Sequence, residues 1–166
     1  LETLKKIDKN KKIIFIKHSI SSKKILSNKN FNKNYECIIH LAAQSSGENS
    51  FYEPIYDIDT NIIGIVNVVD IANKVSAKNI IYTSTMSVYG DVKHNQKIKE
   101  NQNTNPKSIY GITKLASENL LKTLCNERKI KYTIFRLFNV YGGFQNLQNL
   151  KQGMLSIYLY YLLNKK

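Results

Sequence analysis

The chain has 166 residues, 42% of them apolar, and a formal net charge of +13 from 25 Lys and Arg against 12 Asp and Glu. That length supports one domain with a real core, and the apolar runs IIFI, ECIIHLAA and NIIYT exclude wholesale disorder while falling short of the about 20 residues a bilayer-spanning helix needs. The lysines are scattered from Lys5 to Lys166 without interleaved aromatic and basic residues, which argues against nucleic-acid binding and for a field that favours an anionic small substrate.

In chain order, Leu1 to Ile7 reads as the tail of a helix and Asp8 to Asn10 as a turn. LETLKKIDKNKK has no apolar signal-type core, so the cytoplasm is the expected location. Lys12 to Lys17 is a short run of strand type, and the Ser-, Lys- and Asn-rich stretch from His18 to Asn34 reads as loop. Tyr35 to Ala42 is a second buried strand, ending in small residues that permit close approach to the backbone. From Phe51 to Lys74, Ile58, Ile62, Ile65, Val66 and Val69 recur at helical spacing, with Pro54 suited to a first turn.

Lys78 to Thr83 is a third strand, followed by STMSVYG and a polar stretch from Asp91 to Pro106. Ser108 to Arg128 predicts a long helix, Lys131 to Phe138 a fourth strand and Gly153 to Leu163 a terminal helix. Alternating strands and helices imply βαβ units and a doubly wound parallel sheet, whose ligands sit beyond the carboxyl ends of the strands. His40 to Ser46, Ser84 to Gly90 and Leu137 to Gly143 each follow a strand and are the candidate site segments. Cys37 and Cys125 show no metal-ligand or disulfide spacing and read as plain thiols.

Tyr110 and Lys114 in YGITK lie four apart, on one face of the long helix one turn apart, so they can share a ligand. A Tyr-x-x-x-Lys alone is weak, because both types are common on helix surfaces. The strand NIIYTSTMSVYG adds two hydroxyls, Ser84 and Thr85, at the carboxyl end of a parallel strand.

With IYTSTMSVYG ending twenty positions before YGITK begins, the chain resembles the extended short-chain dehydrogenase/reductase family, in its NAD-dependent epimerase/dehydratase branch of UDP-glucose 4-epimerase type. ECIIHLAAQSS, YDIDTNIIGIVNVVDIA, KYTIFRLFNVYG and NLKQGMLSIY are similar to further segments of that family, from about residue 36 to residue 158. The resemblance implies a Rossmann-like α/β fold, with residues 1–145 a partial NAD(P)-binding domain and 146–166 the start of the substrate-binding region. It implies Tyr110 as acid/base, Lys114 as the residue that holds the nicotinamide ribose and lowers the tyrosine pKa, and Thr85 as the hydroxyl on the substrate oxygen. Leu41, Ala42, Ala43, Gln44, Ser45, Thr60 and Phe138 would face the cofactor, NAD with NADP left open, and Asn139 the nucleotide sugar, a UDP-sugar by preference. A homodimer follows by analogy. No metal is expected.

A tyrosine with a pKa of about 10 is a poor base at neutral pH, and each tenfold change in its ionisation takes roughly 1.4 kcal/mol. One exposed ammonium does not supply that, so the bound cofactor and a water-poor site would contribute. His40 and Asn61 read as structural, Tyr89 and Tyr141 as turn or packing residues, and Arg136 as support for either the strand end or a phosphate. The chain departs from the family in lacking the glycine-rich phosphate loop with its first strand, the acidic residue at the end of the second strand, and most of the C-terminal substrate region. It is therefore expected to be an incomplete fold, with a non-catalytic remnant as the alternative. Met86 and Ser87 supply no carboxylate after Thr85, which favours an epimerase or reductase over a dehydratase or decarboxylase.

Overall fold

In the computed structural model, which describes residues 13–92, 95, 97–149 and 153–164, the chain forms two units, Ile20–Phe138 and a second drawn from both ends of the chain. The expected helix at Leu1 to Ile7 lies outside the described residues. The first unit runs β1 (Cys37–His40), α1 (Asn49–Tyr52), α2 (Pro54–Ile58), a π-helical turn (Asp59–Ile63), α3 (Gly64–Lys74), β2 (Asn79–Thr85), α4 (Ile109–Glu127) and β3 (Lys131–Leu137). Two short 3-10 turns, Lys23–Ser27 and Lys29–Asn32, lie in the stretch expected to be loop. In the second unit, α5 (Met154–Leu163) forms where a terminal helix was expected. Among the described residues no helix is long and apolar enough to cross a membrane.

The three strands are parallel in the order β1-β2-β3, with Cys37 opposite Asn79 and Asn79 opposite Lys131. Each connection returns through a helix to the neighbouring strand on the same side. Right-handed crossovers repeated in one direction carry both connecting helices to the same face of the sheet. The core therefore sits on that face: Ile65, Val68, Val69 and Ala72 of α3 and Leu121 and Cys125 of α4 pack on Ile80 and Tyr82 of β2. Arg128 after α4 pairs with Asp70 of α3 at 2.6 Å and ties the two helices together.

The expected helix from Phe51 to Lys74 is present but segmented. Pro54 occupies its first turn, as its fixed φ and missing N–H suit. The π-turn at Asp59–Ile63 widens the helix just where Asn61 points inward. Ser108 caps α4 by accepting from the Gly111 N–H at 3.0 Å. Of the strand expected at Lys12 to Lys17, Lys12 lies outside the described residues and 13–17 form no strand, with Ile13, Ile14 and Phe15 exposed. The incomplete parallel sheet expected from the sequence is what the structure contains, and among the described residues β1 pairs with β2 alone.

Candidate functional site

β2 ends at Thr85, where the chain bends into a 3-10 turn, Met86–Tyr89. Thr85 caps this turn, its Oγ1 accepting from the Ser87 N–H at 3.2 Å. Two glycines make the next contact possible. Gly90 has φ +68°, a region that penalises side chains, and a Cβ there would run into the Asn105 carbonyl oxygen. A Cβ on Gly111 would lie 2.8 Å from the Ser87 carbonyl oxygen and 2.9 Å from Pro106, so only glycine lets the first turn of α4 lie against the turn after β2. That approach brings Tyr110 to Thr85.

Tyr110 is half-buried. Burial raises its pKa above the usual value, the Thr85 hydroxyl bonded to it pulls the other way, and the Asp57 charge raises it further. Lys114, one turn on, is 2% exposed rather than an open surface ammonium. Its Nζ donates to the Thr83 carbonyl at 2.6 Å and stands 4.2 Å from the centre of the Tyr82 ring. Burial lowers its pKa to about 8, against the raising influence of Glu118 and Asp57. The group that favours the phenolate here is thus the Thr85 hydroxyl, while Lys114 is directed to β2. An ammonium has three donors, and the Thr83 carbonyl takes one.

His40, at the end of β1, stacks on Tyr82 with ring centres 5.5 Å apart. Burial, aided by the Lys114 charge, lowers its pKa to about 4, so it is neutral at pH 7 and serves as a packed structural histidine. Arg136 supports the strand end: Nη2 pairs with Glu118 at 2.8 Å, Nη1 donates to the Glu100 carbonyl at 3.1 Å, and the guanidinium lies over the buried Tyr89 ring. Ser84 donates to the same Glu118 at 2.5 Å, which takes it out of contention with Thr85.

The segment after β1 is the other half of the site. Leu41, Ala42 and Ser45 are exposed and Ala43 and Gln44 half-buried. Gln44 is locked inward: its N–H donates to Asn61 Oδ1 at 3.0 Å, its Nε2 to Asp57 Oδ2 at 2.7 Å and to the Ser46 carbonyl at 2.9 Å. Asn61 is the structural hydrogen-bonding residue expected, and Thr60 is half-buried beside it in the π-turn. Phe138 is exposed directly after β3. Exposed small residues after β1, an exposed ring after β3, and Thr85, Tyr110 and Lys114 between them fit a nicotinamide dinucleotide laid across the strand ends. Asn139 belongs to the second unit and is exposed there.

Sequence reasoning missed Asp57, Thr113 and Glu118. Glu118 had a signal, since it stands four residues after Lys114 on one helix face. Asp57 and Thr113 are 56 residues apart, and nothing local announces their hydrogen bond.

At the amino ends of the strands, a groove of about 720 Å³ is lined by Lys78, Lys129, Lys131 and the two cysteines.

A family model described as NAD dependent epimerase/dehydratase family matches residues 2–166. A putative UDP-glucose 4-epimerase of Methanocaldococcus jannaschii is 34% identical over 160 residues, 96% of this chain and 52% of that protein. UDP-glucuronic acid decarboxylase 6 of Arabidopsis thaliana is 36% identical over 116 residues, 68% of this chain and 34% of that protein. Among solved structures, a UDP-glucose 4-epimerase of Thermotoga maritima with UDP-glucose superposes with a TM-score of 0.86 at 31% identity, over 95% of this chain and 51% of that one. The chain thus spans about half the length of the relatives it matches from end to end.

Proposed function

The chain belongs to the NAD-dependent epimerase/dehydratase family, and from that premise we propose that it supplies the acid/base half of a nucleotide-sugar 4-epimerase, working in the cytoplasm on a UDP-sugar with NAD. The observation that carries this reading is the convergence of Thr85, Tyr110 and Lys114 at the carboxyl end of β2.

In this reading Thr85 holds the sugar hydroxyl oxygen and Tyr110 accepts its proton. A nicotinamide cofactor held here would supply hydride acceptance and return, the redox chemistry that inversion at a sugar carbon requires. Lys114 positions the ribose, with Leu41, Ala42, Ala43, Gln44, Ser45, Thr60 and Phe138 beside the dinucleotide and Asn139 toward the sugar nucleotide. Residues 1–145 then belong to the cofactor-binding part and 146–166 begin the substrate-binding part. The lack of a carboxylate at Met86 and Ser87 supports epimerisation over dehydration or decarboxylation.

The test replaces the corresponding segment of the Methanocaldococcus relative by this chain and follows UDP-glucose by NMR. UDP-galactose is expected as product, with Tyr110→Phe and Thr85→Ala each lowering kcat by about 100-fold or more. A 4,6-dehydrated product overturns the assignment. A second reading is a chain without catalytic function, since among the described residues no strand pairs with the outer edge of β1. It predicts that the chain alone gives no thermal shift with NAD or NADP and that the chimera turns over nothing.

A further inference from the structure

Asp57 is 0% exposed, on a helix that is otherwise largely open to solvent. Its Oδ2 accepts from Gln44 Nε2 at 2.7 Å, and its Oδ1 accepts from Asn61 Nδ2 at 2.9 Å and from the Thr113 hydroxyl. Among the described residues no cation stands within ion-pair distance of it. A fully buried carboxylate met by neutral donors is costly to keep, because neutral dipoles replace its hydration incompletely. All three partners donate, so the site selects an acceptor-only carboxylate over an amide, whose NH2 would meet at least one donor, and the charge that comes with it is available for a role beyond packing.

The geometry points to one. Gln44 belongs to the turn after β1, Asn61 to the π-turn, and Thr113 to the first turns of α4, where its hydroxyl is also 3.0 Å from the Tyr110 carbonyl. We propose that Asp57 is a positioning residue for Tyr110 and Lys114: its carboxylate clamps the turn after β1 to the start of α4 and holds a fixed negative charge behind the two side chains. The inference rests on the acid/base roles given above to that pair.

The groups facing Lys114 are His40 from β1, Tyr82 and the Thr83 carbonyl from β2, Glu118 from α4 and Asp57 from α2; those facing Tyr110 are Thr85, Tyr82 and Asp57. A negative charge favours the protonated form of both. Asp57 therefore adds to Glu118 in favouring the Lys114 ammonium, and it opposes ionisation of Tyr110 against the pull of the Thr85 hydroxyl.

The test needs no turnover, so its outcome is separate from that of the epimerase assignment. The chain is labelled in lysine and tyrosine, Lys114 and Tyr110 are assigned by Lys114→Met and Tyr110→Phe, and their titrations are followed by NMR. Asp57→Asn can keep the bond from Gln44 and donate to Thr113 Oγ1 while the Thr113 hydroxyl turns to the Tyr110 carbonyl, losing the bond from Asn61, whose Nδ2 keeps the Gln44 carbonyl as acceptor. In that variant both titrations are expected to move to lower pH, Lys114 from near pH 8. Thr113→Val removes a hydrogen bond and keeps the charge, and is expected to move neither downward. Asp57→Ser, smaller and neutral, repeats the reading if Asp57→Asn does not fold. A folded neutral variant with both titrations unmoved overturns the proposal, as does failure of both neutral variants to fold, which makes Asp57 purely architectural.

Discussion

The two faces of the three-stranded sheet are built from the same strands and meet opposite fates. On one, Ile80, Tyr82, Ser84 and His40 are buried beneath α3 and α4. On the other, Ile39 is 62% and Phe135 49% exposed, and Leu137 is open as well. Parallel sheets are ordinarily covered on both sides, which is why their strands read as continuous apolar runs. The difference teaches that an apolar strand residue announces a need for cover, while the crossover connections decide which residues receive it.

The sharpest way to break this comparison is to remove a charge from the covered side. Glu118→Ala leaves Arg136 without its bidentate partner and Ser84 without its acceptor. It should cost about 3–5 kcal/mol in urea unfolding, since breaking a buried pair strands the remaining charge. A loss no larger than that of a surface substitution would mean that this end of the sheet is not buried as described.

Matched truncations come next. Leu121→Ala, under the covered face, should cost about 3 kcal/mol through lost contacts and a residual cavity. Phe135→Ala, on the bare face, should cost under about 1 kcal/mol. Equal costs would show that the bare face is covered in solution.

A pH titration of stability gives the smallest effect and isolates one residue. His40 has its pKa lowered to about 4 by burial, below the ordinary 6.5. The unfolded chain then binds the proton more readily than the folded one, so His40 takes nothing from stability above pH 6.5 and costs progressively more as pH falls toward 4. The loss should reach roughly 2–3 kcal/mol by pH 4. His40→Phe, which retains the stack on Tyr82, should remove that part of the acid sensitivity; identical pH profiles would place the histidine in contact with water.

Much of the element order was legible because periodicity is local. α4 begins after the Ser108 cap and ends within a residue of expectation, and β2 and β3 fall inside or beside their apolar runs. The strand expected at Lys12 to Lys17 does not form over the described residues 13–17, because an apolar run states a tendency and only long-range pairing makes it a strand. That the Gln44 side chain bonds Asp57 and Ser46 is visible in no local pattern. Lys114 was read as an exposed ammonium and is instead folded onto Thr83.

By itself the sequence determined the α/β alternation, the family, and the placing of Thr85 at a strand end with Tyr110 and Lys114 on one helical face. Those follow from backbone periods of two and 3.6 residues and from short motifs, which need no knowledge of distant neighbours. Only the tertiary structure decided which sheet face is covered, that Gly111 admits the close approach of α4, and that Asp57 meets Thr113 across 56 residues. Contacts at that separation depend on crossover handedness and helix packing, and those depend on the whole chain at once.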